Sequence, residues 1–414
     1  MVTCNNRVVV TGMGVVAPNG IGKDAFWSSL LEGRTGIGLI TLFDASQHSC
    51  RNAGEVKGFD PRIHLGPDIS FKRMSRQSQL ALAAAFQAVA DANLSRDTVV
   101  TTLPVPLVLG ISSGAIEVFE ESMGRLLAKG PGRVPSHSVE AGRPHQASSI
   151  IARHIPLLTC STTVASACSA GLDAIASAAA IIREGRAEVV ITGGADAPVN
   201  SLLLACLAKS RLIAHHDNPA KASCPFSADR NTGVVSEGAG ILVLESLDHA
   251  RARGATPYLE ISGYASFIDP TLEEPESGLG STIKAALANA RHRPGDVDYI
   301  CAHGPSDRYL DLLETRVIKS VFGSHAYRIP VSSIKGVTGN PFAAAGAFQV
   351  AACALMFRDN LIPPTANLEK PDPECDLDYV PLTARRAAPK CVLINSHGMG
   401  GGNSCLVVER VDPK

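Results

Sequence analysis

Short runs of β-branched and other apolar residues alternate along this chain with longer segments whose apolar positions repeat at helical spacing. This alternation predicts βαβ units around a largely buried sheet, and therefore an α/β fold. The predicted strands are residues 7–11, 106–109, 189–192, 239–244, 299–302, 329–332, 391–395 and 405–411. The predicted helices are residues 76–93, 117–128, 146–154, 171–184, 280–292, 311–322 and 342–358.

The predicted elements divide into two similar halves. Glycine and proline interrupt the chain near residues 254–257, just after a predicted strand, so we place a domain boundary there, giving domains 1–255 and 256–414. In each half a strand leads to a reactive residue and then to a helix rich in small residues. The reactive residue is Cys168 in the first half and Asn340 in the second, which suggests a duplication.

Composition narrows the class of protein. Of the 414 residues 45% are apolar and 19% charged, and the net charge is −1, which argues against disorder and against a nucleic-acid-binding surface. The eleven cysteines include no Cys-x-x-Cys pair, so neither a disulfide framework nor a zinc site is indicated. The N-terminus lacks a signal-peptide pattern, and the longest apolar run, residues 342–357, is too short for a bilayer. We expect a soluble cytoplasmic protein without membrane or metal association.

Cys168 is the strongest candidate for chemistry. It lies in Ala-Ser-Ala-Cys-Ser-Ala-Gly, between the strand-like run 160–167 and the predicted helix 171–184. A thiol at the first turn of a helix faces unpaired backbone N–H groups and the positive end of the helix dipole, which favour the nucleophilic thiolate. The alternative is that Cys168 is a small buried core residue, as free cysteines often are.

Three other segments carry candidate functional residues. His303 follows a predicted strand, and ligands of α/β proteins bind at the carboxyl ends of strands, although a histidine in a loop often has no catalytic role. Asn340 precedes Pro341, where it could also be a plain helix N-cap. The run 395–403 is a glycine-rich loop between two strands, and its backbone can approach a substrate closely.

Taken together, these motifs resemble the β-ketoacyl-acyl-carrier-protein synthases. The closest branch is the elongating synthase II type with the ketosynthases of type II polyketide systems, and the resemblance covers essentially the whole chain. Several separated motifs in one order are more specific than any single motif. The matching motifs are Ala-Cys-Ser-Ala-Gly at Cys168, Ala-His-Gly at His303, Ser-Ser-x-Lys-x-x-Thr-Gly-x from residue 332 to 340, and Asn-Ser-x-Gly-x-Gly-Gly from 395 to 401.

The resemblance implies a thiolase-like fold, with two similar halves in α-β-α-β-α layers. It also implies ping-pong chemistry, in which an acyl group moves from a carrier protein onto Cys168 and a malonyl-type extender then loses carbon dioxide and condenses with it. The backbone N–H groups of Cys168 and Met399 would form the oxyanion hole, and His303 would stabilise the enolate. Lys335 and Glu314 would form a supporting ion pair. No cofactor would be bound permanently, since the carrier's phosphopantetheine arm delivers the substrate.

The chain departs from the family pattern at several positions. The elongating branch has a second histidine where this chain has Asn340, so the set Cys-His-Asn resembles instead the initiating synthase III branch and the chalcone-type synthases. The usual His-Gly-Thr-x-Thr is here His303-Gly304-Pro305-Ser306-Asp307, which puts the placement of pantetheine in doubt. His397 and Met399 replace the two phenylalanines of the gating loop. One hypothesis is that His397 supplies the missing imidazole; the alternative is a polar loop residue.

Three functions remain open at this point. The first is a decarboxylating β-ketoacyl synthase in polyketide or fatty-acid-type biosynthesis. The second is an acyltransferase that passes the acyl group from Cys168 to another acceptor without decarboxylation. The third is a silent partner subunit like a chain-length factor. We expect an acyl carrier protein as partner, and a homodimer or a heterodimer with a related subunit. The candidate carrier-docking residues, which are equally compatible with a solvated surface, are Lys72, Arg73, Arg76, Lys209 and Arg211.

Overall fold

The computed structural model describes residues 6–96, 99, 101–270 and 275–411. The strands are β1 Val8–Ala17, β2 Gly20–Ile21, β3 Ile37–Leu39, β4 Asn52–Gly54, β5 Pro106–Gly110, β6 Cys160–Val164, β7 Val189–Asp196, β8 Gly238–Ser246, β9 Leu259–Ile268, β10 Tyr299–Cys301, β11 Val331–Ser332, β12 Leu361–Ile362, β13 Arg385–Arg386, β14 Cys391–Gly398 and β15 Gly402–Glu409. The helices are α1 Lys23–Leu31, α2 Pro61–His64, α3 Arg76–Asp91, α4 Ile116–Lys129, α5 Ser138–Ala141, α6 Gln146–His154, α7 Ala170–Arg183, α8 Ser201–Lys209, α9 Leu247–Ala252, α10 Pro275–Asn289, α11 Arg308–Phe322, α12 Lys335–Thr338 and α13 Ala344–Asp359.

The main sheet repeats one strand pattern twice. Its order is β11-β10-β14-β15-β9-β1-β8-β7-β5-β6, and β2 pairs with β1. From β1 outward the successive pairings are antiparallel, antiparallel, parallel and parallel, and from β9 outward they follow the same series. The two sets join where β1 pairs antiparallel with β9. The sheet is therefore mixed and has approximate two-fold symmetry.

Two helices rich in small residues form the centre of the molecule. Helices α7 and α13 pack against each other, α7 contacts β5 and β7, and α13 contacts β8 and β14. Every residue of α13 from 344 to 357 is buried, as expected for a helix that is apolar on all sides. Helix α3 covers the other face of β1 and β8, and α10 covers β9 and β15. Helices α7 and α13 therefore lie between the two strand sets of the main sheet, with α3 outside one set and α10 outside the other.

The two halves meet in a contact too tight for side chains. The Ala343 carbonyl oxygen, at the start of α13, lies against Gly171 of α7 and Gly194 of β7. A Cβ atom at either glycine would be 2.0 or 2.1 Å from that oxygen. The buried Asp196 carboxylate also accepts the backbone N–H of Ala343 at 2.9 Å and that of Ser112 at 3.0 Å.

Most predicted elements are present, with shifted ends. Helix 146–154 has the predicted bounds, whereas β14 runs to Gly398 and the predicted glycine-rich loop is only a short turn before β15. Strand β9 and helices α1 and α8 lie where the sequence analysis predicted no element. The domain boundary at residue 255 stays a prediction. Within the described residues, no helix has the length and apolar character needed to cross a membrane.

Candidate active site

Cys168 lies on a strained turn between β6 and α7. Ala167, immediately before it, has a φ of 54°, in the left-handed region that alanine adopts only at a cost. Asp173, in the first turn of α7, accepts hydrogen bonds from the Ser166 hydroxyl and, at 2.8 Å, from the Tyr264 hydroxyl of the other half. These bonds stabilise the turn and fix the position of Cys168.

The Cys168 thiol is protonated at neutral pH, contrary to the sequence-based expectation of a thiolate. The residue is 4% exposed and packs in an apolar cluster with residues such as Leu207 and Phe342. Burial raises the pKa of the thiol to about 11, although the Lys335 ammonium opposes this shift. The helix-terminus argument failed because α7 begins only at Ala170 and desolvation outweighs its effect.

His303 is held by its backbone at the end of β10. The two carboxylate oxygens of Glu314 accept the backbone N–H groups of His303 and Gly304, each at 2.9 Å. The Asn395 side chain donates to the same carboxylate at 2.9 Å. Glu314 therefore orients the peptide that carries the imidazole.

Lys335 also contacts His303 directly. Its Nζ lies 2.9 Å from His303 Nδ1 and donates to the His303 carbonyl oxygen at 2.7 Å. The predicted ion pair between Lys335 and Glu314 is not formed: the structure gives no contact within 4 Å between them, and each binds His303 instead. Burial lowers the pKa of Lys335 to about 8. Burial and the nearby Lys335 charge lower the pKa of His303 well below its usual value, so its imidazole is neutral at pH 7.

Asn340 faces the nucleophile from the second half. Its backbone N–H donates to the Val234 carbonyl at 2.7 Å and its carbonyl accepts from Ser236 N–H at 3.0 Å, which fixes it beside that segment. Its side chain shares the cavity with Cys168 and lowers the thiol's pKa, although burial has the larger, opposite effect. Asn340 Oδ1 is buried without a partner, so the amide retains hydrogen-bonding capacity.

The turn between β14 and β15 covers the nucleophile. The Met399 backbone N–H is near enough to the Cys168 sulfur to lower the pKa of the thiol, and the Met399 side chain is 50% exposed. The His397 backbone N–H donates to His303 Nδ1 at 3.2 Å, and the two imidazole centroids are 6.1 Å apart. Gly400 and Gly401, with φ of 95° and 83°, make the turn possible.

These residues line one cavity of about 590 Å³. Cys168, His303, Asn340, His397 and Met399 all border it. Apart from them its wall is largely apolar, and it includes Leu207, Leu212, Ile213, Val234, Val235 and Phe342. The structure thus brings the predicted catalytic and gating residues of both halves to a single site.

Asp307, one of the departures from the family pattern, has a structural role. Its carboxylate accepts the backbone N–H groups of Tyr309 and Leu310, each at 2.9 Å, as the N-cap of α11. Asp307 and Pro305 both border the cavity. The carboxylate is therefore partly satisfied by the helix that it begins.

The five candidate docking residues do not share one environment. Lys72, Arg73, Lys209 and Arg211 are exposed, and the last two adjoin the cavity wall at Leu212. Arg76 makes a two-pronged ion pair with Glu237, both contacts at 2.6 Å, and the Glu237 side chain is fully buried. The expectation that Arg76 is free to bind a carrier is therefore wrong, because its guanidinium is engaged within the fold.

Three residues that position this site were not singled out as functional by sequence reasoning: Asp173, Asp196 and Asn403. Asn403 Oδ1 accepts a hydrogen bond from His397 Nδ1 at 2.8 Å, and Asn403 Nδ2 donates to Asp269 at 2.7 Å. Of these three residues, only Asp173 had a local signal in the sequence, because it lies three residues into the helix that follows Cys168. Among the described residues, no three histidine, cysteine or acidic side chains are grouped as a metal would require.

Comparison with known proteins identifies the family. The model of the β-ketoacyl synthase N-terminal domain matches residues 5–250, and that of the C-terminal domain matches residues 258–369. The chain belongs to the β-ketoacyl synthase family. The family's α/β thiolase-like fold, predicted from the motifs, is confirmed.

Similar proteins extend over the whole chain. The 3-oxoacyl-[acyl-carrier-protein] synthase 2 of Synechocystis sp. is 40% identical, with 98% of each chain covered. The ishigamide ketosynthase/chain length factor superimposes with a TM-score of 0.91 at 31% identity, covering 99% of this chain and 100% of that one. A type II polyketide synthase acyl-carrier protein in complex with its ketosynthase bound to the hexaketide gives 0.89 at 32% identity, covering 98% and 100%. The chain is a β-ketoacyl-acyl-carrier-protein synthase, an acyltransferase that condenses by decarboxylation in fatty acid or type II polyketide biosynthesis.

Proposed function

We propose that this β-ketoacyl synthase works through Cys168, His303 and Asn340, with Lys335 and Glu314 as positioning residues. The observation that carries the proposal is the single cavity bordered by a buried thiol, a neutral imidazole and a carboxamide. These groups come from both halves of the fold. They supply a nucleophile and two hydrogen-bonding side chains in a site largely shielded from water.

In the first half-reaction, Cys168 takes the acyl group from the carrier's phosphopantetheine thioester. The sulfur attacks the carbonyl carbon, and the backbone N–H groups of Cys168 and Met399 stabilise the oxyanion. The Met399 N–H is near enough to the sulfur to lower the pKa of the thiol. Each such donor typically contributes about 10²–10³ in rate.

In the second half-reaction, the malonyl-type extender loses carbon dioxide and its enolate attacks acyl-Cys168. His303 Nδ1 accepts hydrogen bonds from the Lys335 ammonium and the His397 backbone N–H, so the proton of the neutral ring is on Nε2. This Nε2–H group donates to the enolate oxygen. Asn340, whose side chain shares the cavity with Cys168, adds a second donor through its NH₂ group. The Cys-His-Asn set then needs no second titrating imidazole to stabilise the enolate.

Intact-mass analysis with acyl and malonyl carrier proteins tests this assignment. We expect acyl-Cys168, carbon dioxide release and β-ketoacyl product, and loss of acylation in Cys168→Ala. His303→Ala and Asn340→Ala should acylate but release carbon dioxide at least 10²-fold more slowly. Acylation followed by transfer without carbon dioxide release would support the non-decarboxylating acyltransferase, and no acylation at all would support a silent subunit.

We also propose that Lys209 and Arg211 help to dock an acidic acyl carrier protein. Both are exposed at the rim near Leu212, where a carrier's pantetheine arm would enter the cavity. Lys209→Glu with Arg211→Glu should raise KM for the carrier and weaken its salt dependence while kcat changes little. Lys72→Glu with Arg73→Glu is the parallel test of the second exposed pair, and unchanged KM would remove either pair from the docking surface.

We further propose a dimer, either with a second copy of this chain or with a related subunit. Strand β6 is the edge of the main sheet, its first three side chains are exposed, and it leads directly to Cys168. An exposed edge strand is a ready surface for pairing with another chain. Native mass spectrometry should show a dimer, and a proline at Thr162 should weaken it. A monomer that remains fully active would contradict this proposal. A cytoplasmic location stays a prediction.

A further inference from the structure

The two imidazoles at the site have complementary proton positions. His303 Nδ1 faces two donors, the Lys335 ammonium at 2.9 Å and the His397 backbone N–H at 3.2 Å, so it has no proton of its own. The neutral ring then has its proton on Nε2. His303 is therefore a hydrogen-bond donor toward the cavity and has no free lone pair there.

The side chain of His397 has the opposite arrangement. Asn403 Nδ2 donates to Asp269 Oδ1 at 2.7 Å and to the Gly401 carbonyl at 3.1 Å, which fixes the amide orientation. Asn403 Oδ1 then faces His397 Nδ1 at 2.8 Å, and because this oxygen is an acceptor, His397 Nδ1 has the proton. The lone pair of the neutral ring is therefore on Nε2, for which the described residues supply no hydrogen-bond partner.

Acyl loading needs a proton acceptor at this site. Cys168 is a thiol at neutral pH, since burial raises its pKa to about 11. Among the groups that share the site, Asn340 cannot accept a proton usefully, His303 is fixed as a donor, and Lys335 is already protonated below its pKa of about 8. Asp307 borders the same cavity but accepts two backbone N–H groups as a helix cap. His397 is left with a free basic nitrogen.

We propose that His397 is the general base for acyl loading, with Nε2 accepting the Cys168 thiol proton directly or through one water molecule. Both residues border the same cavity, and the segment that follows His397 lies against the turn that carries the nucleophile: a Cβ atom at Gly398 would be 3.3 Å from the Cβ of Ala167. Asn403 and Asp269 orient the ring and favour the imidazolium that forms. The inference rests on the proposed role of Cys168 as nucleophile.

The proton balance closes within the half-reaction. The S–H bond of Cys168 breaks as its proton moves to His397 Nε2, and the thiolate forms a C–S bond to the carrier's acyl carbon. When the tetrahedral intermediate collapses, the C–S bond to pantetheine breaks. The departing pantetheine thiolate takes the proton from the His397 imidazolium, which restores the neutral ring and releases the carrier as a free thiol.

The test compares loading with carbon dioxide release in the same variants. The rate of acyl-Cys168 formation from acyl carrier is followed by rapid-quench intact mass, and carbon dioxide release from malonyl carrier is measured separately. A positioned general base typically contributes about 10²–10⁴ in rate. We expect His397→Ala to slow loading by at least 10²-fold, and by at least tenfold more than it slows carbon dioxide release. Added imidazole should restore part of the loading rate.

Two further variants sharpen the result. Asn403→Leu removes the acceptor that fixes the His397 tautomer and should slow loading by about tenfold. His64→Phe is the matched control, because His64 lies on α2 and stacks on Phe59, an interaction that a phenyl ring retains. Loading at the wild-type rate in His397→Ala, or a slow rate that imidazole does not raise, would overturn the proposal. If the wild-type enzyme itself loads Cys168 but releases no carbon dioxide, the proposed condensation is refuted. The comparison of loading rates between the wild type and His397→Ala still stands in that case.

Discussion

Replacing Lys335 with methionine should separate the stability of the fold from the chemistry of the site. Lys335 is 2% exposed, and burial lowers its pKa from 10.5 to about 8. At about 1.4 kcal/mol per pH unit, this shift corresponds to about 3 kcal/mol of destabilisation by the buried ammonium at neutral pH. Methionine has a similar length and no charge, so Lys335→Met removes this cost.

The sign of the pH dependence follows from the two pKa values. Between pH 8 and 10.5 the unfolded chain holds the lysine proton and the folded chain does not, so this residue makes the free energy of unfolding rise with pH. Below pH 8 both states hold the proton and the full cost is present. The stability of Lys335→Met relative to the wild type should therefore be highest at pH 7.5 and fall by about 2 kcal/mol or more by pH 10.

The assay is urea unfolding at pH 7.5, 9 and 10, with Lys284→Met as control, since Lys284 is exposed on α10. The difference between each variant and the wild type cancels the other groups that titrate in this range. Catalysis should fall by at least 10²-fold in Lys335→Met, because His303 loses the cation on Nδ1. A pH-independent stability difference equal to that of the control would refute the reasoning about the buried ammonium.

Three further outcomes are expected. Alkylation of Cys168 by iodoacetamide, followed by peptide mass, should accelerate about tenfold per unit from pH 7 to 9, since only the thiolate reacts; a plateau near pH 8 would contradict the raised pKa. Gly194→Ala should lower the free energy of unfolding by about 2 kcal/mol or more, because its Cβ would lie 2.1 Å from the Ala343 oxygen. The control, Gly124→Ala, has open space around the new Cβ and should raise the free energy of unfolding by up to about 1 kcal/mol. Asp307→Asn should keep the helix cap and leave the urea midpoint nearly unchanged, while Asp307→Ala should cost about 1 kcal/mol; equal losses in both would contradict the capping role.

The sequence predicted those parts of the fold whose signal is local. The continuous apolar runs of β5, β7 and β8 and the small-residue pattern of α7 and α13 were read directly. Strand β9 was missed although its burial alternates from Leu259 to Ala265, because Glu260, Ser262 and Gly263 dilute its apolar content. The short caps and turns shifted other ends by a few residues, as local propensity gives boundaries least well.

The electrostatics of the site could not be predicted in the same way. Cys168 has the local surroundings of an ionised thiol, yet its protonation depends on burial by residues such as Phe342, which is distant in sequence. Similarly, the positions of Lys335 and Glu314 relative to each other depend on His303, which both contact. The basic run around Arg76 predicted an exposed side chain, but the fold pairs Arg76 with Glu237, which is distant in sequence.

The Ala343 oxygen held between Gly171 and Gly194 has a consequence for how substrates enter. With backbone against backbone at this point, the two halves cannot move closer together here, which favours admission through another part of the cavity wall. We expect opening at the periphery, at the hairpin tip where Gly400 and Gly401 adjoin the exposed Met399. The cavity would thus keep a fixed shape apart from one mobile hairpin tip, and selection among acyl chains would depend on that hairpin tip and on the shape of the cavity.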